Sequence, residues 1–323
     1  MFDPAVNAAI QRFRSPVLDL LFQAITILGY SYFLIAVLGA LYWTWDKRKV
    51  FGLFQLVVYC GLVEHILKGV FQHPRPFQVD PAHVQVLDYF MRRELDASGI
   101  QWAVPAKTSF SFPSGHAQVA ACFLGALAWQ IRRRGMIAFA VVMTLLIALS
   151  RLYLGVHFLG DVLGGILFGG VLVAIYAAIE GLLGRNSRFP SPELLWGLGF
   201  AGPVILYLLT PDGEGAQRTM FLLGLTAGYF AERRLVAFSS GGPAWQRLAR
   251  MALGLAVIAC LLAPFDRALA WLGSDALSTH PITWTACRYG VIGLAVSWAI
   301  PWMFVQTRLA TGSETRKIPA NTG

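Results

Sequence analysis

Three short stretches hold most of the side chains able to do chemistry. "KGVFQHPRP" runs from Lys68 to Pro76, "FPSGHAQ" from Phe112 to Gln118, and "SRLYLGVHFLGD" from Ser150 to Asp161. Lys68, Arg75 and Arg151 supply three positive groups. Guanidinium groups match phosphate oxygens two at a time, and a lysine acts as a point charge. Ser114 and Gly115 stand just before a helical pattern, where free backbone N–H groups and the helix dipole favour an anion. His157 and Asp161 are four residues apart and on a helix share one face. A carboxylate there can accept the imidazole Nδ1–H, fix the tautomer and leave Nε2 as a nucleophile. His116 is then available to protonate a leaving oxygen. Together these are the parts for in-line phosphoryl transfer through a phosphohistidine, with fixed cations stabilising the transition state.

Such groups need elements that bring them together, and composition says what those elements are. Of the 323 residues, 56% are hydrophobic and 13% charged, against ~25% charged in soluble domains. Mean hydropathy is +0.59. The apolar residues fall in blocks long enough to cross a bilayer as helices. The expected fold is an all-α, polytopic membrane bundle of about nine transmembrane helices, near 22–44, 50–69, 116–131, 136–150, 159–183, 193–210, 219–231, 251–272 and 284–305. The core that bears the three stretches occupies the first five or six. The organisation follows: 1–21 an amphipathic N-terminal segment, 22–190 the core with an outer loop 70–115, 191–306 additional spans, and 307–323 a disordered cytoplasmic tail. Phe2, Val6, Ile10 and Phe13 recur at helical spacing in the first segment, which suits a helix lying on the membrane surface. It does not read as a cleaved signal peptide.

The net charge of +9 sits in clusters between apolar blocks: Lys47–Lys49, Arg132–Arg134, Arg185 with Arg188, Arg233 with Arg234, Arg247 and Arg250, then Arg308, Arg316 and Lys317. These are topology signals, and with no basic domain outside the membrane blocks nucleic acid is not an expected partner. The positive-inside rule makes these loops cytoplasmic, along with the C-terminus. All three chemical stretches then meet at the outer face, which is periplasmic in a Gram-negative cell. Cys60, Cys122, Cys260 and Cys287 lie inside apolar blocks without metal-ligand spacing and read as packing residues.

The pattern Lys-x6-Arg-Pro (Lys68, Arg75, Pro76), Pro-Ser-Gly-His (Pro113, Ser114, Gly115, His116) and Ser-Arg-x5-His-x3-Asp (Ser150, Arg151, His157, Asp161) resembles the type 2 phosphatidic acid phosphatase superfamily. That group includes lipid phosphate phosphatases, undecaprenyl diphosphate phosphatases, the glucose-6-phosphatase group and soluble vanadium haloperoxidases. The resemblance covers about residues 20–185. It implies His157 as nucleophile, Asp161 as its partner and His116 as general acid. It implies Lys68, Arg75, Ser114, Gly115 and Arg151 as phosphate ligands, with no metal and no cofactor. Many small bacterial members have six spans, and the extra spans after residue 190 depart from that layout. Nine spans resemble the glucose-6-phosphatase and sphingosine-phosphate phosphatase groups in count alone, which fixes no substrate.

The expected activity is removal of phosphate from a membrane lipid phosphate or diphosphate at the outer face. Undecaprenyl diphosphate leads, with phosphatidylglycerophosphate, phosphatidic acid and sphingosine phosphate behind it. A lipid phosphotransferase using the same intermediate and a lipid-phosphate transporter are the rivals. A haloperoxidase would share the anion pocket, but many spans speak against it. A homo-oligomer is left open. Glu64 precedes Lys68 by four and suits a supporting ion pair. His73 and His83 read as ordinary surface residues, and His280 has no assigned role. Phe77, Tyr89, Phe90 and Trp102 suit lipid contact and interface anchoring equally.

Overall fold

A computed structural model describes residues 1–89, 91, 110–185, 200–205, 207–208, 213–262 and 281–312. All regular structure among them is helical, as composition required. Among the described residues five helices are long and apolar enough to cross a membrane, or six if one bent pair counts as a span. Most of the expected span at 193–210, the end of that at 251–272, residues 90 and 92–109 of the outer loop, His280 and the tail from 313 lie outside the described residues. The chain divides into two compact units, Met1–Leu34 with Tyr59–Ser187, and Ile35–Val58 with Arg188–Gly323.

The first unit carries all three chemical stretches. It contains α1 (Ala5–Gln11) and α2 (Pro16–Ile27), the start of α3 (Ser31–Thr44) and the end of α4 (Lys47–Phe71). A single turn, α5 (Pro76–Val79), follows, then α6 (Gly115–Ile131), α7 (Arg134–Tyr153) and α8 (Leu159–Arg185). Ser15 caps α2 by accepting from Leu18 N at 3.3 Å, with Pro16 pre-set for the first turn. The span expected at 22–44 is not one straight helix: α2 and α3 meet at 55°. The break at Leu28–Tyr30 lets Gly29 sit against the His116 ring, where a Cβ would clash with Cδ2 at 2.5 Å. Helix α6 has 17 residues, about 25 Å of helix at ~1.5 Å per residue, short of a ~30 Å hydrocarbon core.

Helix α8 shows two faces. Leu163, Leu167, Val171, Ile175 and Ile179 recur every fourth residue and are all exposed, a stripe suited to lipid. Gly165 faces the other way, onto α6. A Cβ there would collide with Ser114 O and lie 3.1 Å from Gln118 N, so glycine lets the two backbones touch. That approach lets Ser114 N donate to Asp161 O at 3.0 Å, joining two of the motif stretches through their backbones.

The second unit includes α9 (Gly213–Ala231), α10 (Ala244–Leu262), α11 (Pro281–Leu294) and α12 (Ile300–Gln306). A π-helical turn, Ala295–Ala299, separates α11 from α12. Trp43 is wholly buried and donates Nε1–H to Val296 O in that turn at 2.9 Å. Lys47 meets the buried Glu232 at 2.7 Å, so the buried carboxylate has a cation against it.

Candidate active site

The turn after α7 carries His157, and its geometry is set from several sides. Helix α7 ends at Tyr153, and Gly155, at φ 74°, reverses the chain. His157 is buried, and its Nδ1 stands 3.4 Å from Asp161 Oδ2, the pairing expected from the four-residue spacing. Asp161 Oδ2 also accepts from Phe158 N at 2.7 Å and from Ser111 Oγ. The other ring nitrogen, Nε2, lies 3.5 Å from Arg75 Nη1. The same Arg75 nitrogen donates to Val156 O at 2.7 Å, so the guanidinium grips the turn that carries His157. A buried imidazole among cations resists protonation. Burial first, then Arg75, Arg151, Lys68 and His116, holds the His157 ring well below the ordinary imidazole pKa.

The remaining expected residues gather around this pair. Lys68 makes the anticipated i,i+4 ion pair with Glu64 at 2.7 Å. The Glu64 carboxyl group lies so close to Gly115 that a Cβ would collide with it. His116, in the first turn of α6, packs edge-on against Tyr30 with centroids 4.6 Å apart. Arg151 is buried and donates to Asp88 Oδ2 at 2.6 Å and to Thr26 Oγ1. Three buried polar atoms on three of these residues find no hydrogen-bond partner among the described residues: Ser114 Oγ, His116 Nε2 and Arg151 Nε. Buried polar atoms are nearly always satisfied. A cluster of them among cations is what an anion with several acceptor oxygens would complete.

Sequence reasoning missed Asp88, Thr26, Tyr30 and Ser111. Asp88 is fully buried and pairs with Arg151, and Tyr30 donates to it at 3.0 Å. Burial by itself would raise its pKa, but the Arg151 charge together with hydrogen bonds from Met91 N, Arg151 and Tyr30 outweighs that and lowers it. One signal was available: an acid inside the apolar run "VQVLDYF" needs a partner if buried. The aromatic expectation is corrected at Phe77, which is buried against Tyr153 and the Val84–Val86 segment. Tyr89 is exposed, and Phe90 and Trp102 lie outside the described residues. His73 is not a simple surface residue, since its ring packs 4.6 Å from Phe2 and 5.4 Å from Phe158.

Residues 49–185 match the model of the PAP2 superfamily, and residues 216–312 match that of the "PAP2 superfamily phosphatase, transmembrane extension". Phosphatidylglycerophosphatase B of Bacillus subtilis is 30% identical over 205 residues, which cover 58% of this chain and 86% of the relative. The chain belongs to the PAP2 superfamily. It is a membrane protein of the lipid phosphatase branch of that superfamily. Human sphingosine-1-phosphate phosphatase 2 is also 30% identical, over 48% of this chain and 36% of that protein. A solved structure, the first transmembrane PAP2 type phosphatidylglycerolphosphate phosphatase from Bacillus subtilis, is 27% identical. It covers 58% of this chain and 87% of its own, with a TM-score of 0.43. The spans after residue 190, which had no place in a six-span layout, correspond over 216–312 to the superfamily's transmembrane extension.

Proposed function

We propose that this PAP2 protein removes a phosphate from a lipid phosphate or diphosphate at the outer membrane face, through a phosphohistidine on His157 and without a metal. The observation that carries this reading is the convergence of three distant stretches on one buried imidazole. Asp161 lies at its Nδ1 and Arg75 at its Nε2, with unsatisfied polar atoms of Ser114, His116 and Arg151 in the same cluster. In the first step Nε2 attacks phosphorus, the N–P bond forms and the bond to the leaving oxygen breaks. His116 gives that oxygen its proton. In the second step water attacks phosphorus, His116 takes the proton back, the N–P bond breaks and inorganic phosphate leaves. Lys68, Arg75, Arg151, Ser114 and the Gly115 backbone hold the phosphoryl oxygens as charge builds. Asp161 keeps the imidazole oriented. The orientation, with the C-terminus cytoplasmic, rests on the basic loops.

The relatives' names bear on the lipid. Each points to a phosphorylated lipid, and the relative matched over most of its length is a phosphatidylglycerophosphatase. Phosphatidylglycerophosphate therefore moves ahead of undecaprenyl diphosphate, with phosphatidic acid and sphingosine phosphate next. The test is phosphate release by the purified protein in detergent with EDTA present, using these four lipids and glucose 6-phosphate. Release from one lipid, indifferent to EDTA, is expected. Loss of release in EDTA would overturn the metal-free chemistry. Label passing only to added acceptor lipids would make the protein a phosphotransferase.

The pH profile follows from the His157 environment. Its folded-state pKa is depressed, so the neutral, nucleophilic form persists as pH falls through ~6.5, the ordinary imidazole value. The acid limb of kcat/KM is expected below that value and the profile to be bell-shaped, since His116 must carry a proton. Both limbs belong to the coupled site. A pH–rate series in which the acid limb lies at or above ~6.5 would contradict this environment for the nucleophile.

A further inference from the structure

Asn7 is fully buried, although it lies on the N-terminal helix whose apolar periodicity suits a membrane surface. Its side-chain nitrogen donates to Leu152 O and to His157 O, each at 2.9 Å. A carboxamide has two N–H donors, so both are spent on one turn. That turn runs from the end of α7 to the histidine, and the two carbonyls stand at its ends. Within it Gly155 N donates to Leu152 O at 3.1 Å and Val156 N to Arg151 O at 3.2 Å. One helical turn beyond Asn7, Gln11 donates to Tyr153 O at 2.9 Å and Gln85 O at 2.8 Å, and Gln85 N returns a bond to Gln11 Oε1. Ahead of Asn7, Met1 O accepts from Gly160 N at 3.0 Å, and the Phe2 ring meets Phe158 edge-on at 6.1 Å. Residues 1–11 thus bind both ends of the segment that carries His157.

We infer that Asn7 is a positioning residue for His157. It does not touch the reacting atoms. It holds the His157 carbonyl while Arg75 holds the Val156 carbonyl, and together they fix where the imidazole starts from the backbone. Asp161 then fixes the direction in which the ring points. A nucleophile displaced by ~1 Å can lose about 10²-fold in rate, so this hold bears on turnover more than on substrate binding. The inference rests on the proposed role of His157.

The test uses the full-length protein with Asn7→Ala and Asn7→Asp. The second keeps the side chain's shape but turns a carboxylate toward two carbonyl oxygens. In each, kcat is expected to fall about 10-fold or more while KM stays within about twofold. Amide hydrogen exchange over residues 154–160 should rise at least about 10-fold, with α6 unchanged. Wild-type kcat in Asn7→Ala would overturn the inference. So would unchanged exchange at 154–160, or an equal rise in exchange throughout the unit. Wild type and His157→Ala run in the same assay. If wild type releases no phosphate from any lipid, the proposed function fails on its own account, and the exchange measurement alone decides whether Asn7 holds the turn.

Discussion

His157→Ala is expected to abolish phosphate release, with turnover falling by about four orders of magnitude or more. The argument is chemical. No other described side chain combines a paired nitrogen on one side, 3.4 Å from Asp161, with a second nitrogen 3.5 Å from Arg75, the proposed phosphate ligand, on the other. Alanine removes the nucleophile and leaves the cations in place. Substrate should therefore still bind, and labelled phosphate should no longer attach to the protein. The measurement is release from the preferred lipid alongside trapping of acid-labile phosphoprotein, with thermal unfolding in detergent to show that the variant is folded. Undiminished release by a preparation free of other phosphatases would remove His157 from the reaction.

Arg75→Ala is expected to lower kcat by about 10²–10³-fold, the usual effect of deleting one preorganised donor to transition-state charge. Arg75 does two things at once. It lies beside Nε2, where the transferred phosphoryl would stand, and it donates to Val156 O next to the nucleophile. Arg75→Lys separates them, because an ammonium supplies charge without the planar fork. Lysine should restore less than a tenth of wild-type kcat. Full recovery would mean that charge alone is needed and the grip on the turn is not. Steady-state kinetics on both variants with the preferred lipid provide the comparison.

The motif residues were legible because their chemistry is local. The Glu64–Lys68 ion pair follows from one helical turn, and the His157–Asp161 pair from a four-residue spacing that reaches from the turn into the first turn of α8. The helical, membrane-spanning character follows from hydropathy, since backbone groups in hydrocarbon must be satisfied within the segment. Charge clusters gave an orientation by rule. The boundaries of the first span were less legible. Hydropathy sees a continuous apolar block at 22–44, but cannot see that Gly29 must clear the His116 ring.

What only the tertiary structure decided is the set of contacts made across long sequence separations. Asp88 is 63 residues from Arg151, and Asn7 is 150 from His157. Asp88 shows in the sequence only as an acid inside an apolar run, with nothing to name its partner, and Asn7 has no local signature, because what makes each of them necessary is burial. A guanidinium out of water needs a carboxylate, and a backbone carbonyl out of water needs a donor. The sequence by itself determined the candidate reacting groups and the helical, membrane-spanning setting that holds them. Packing decided which other residues hold those groups still, because a buried polar atom takes its partner from whatever segment the fold brings within about 3 Å.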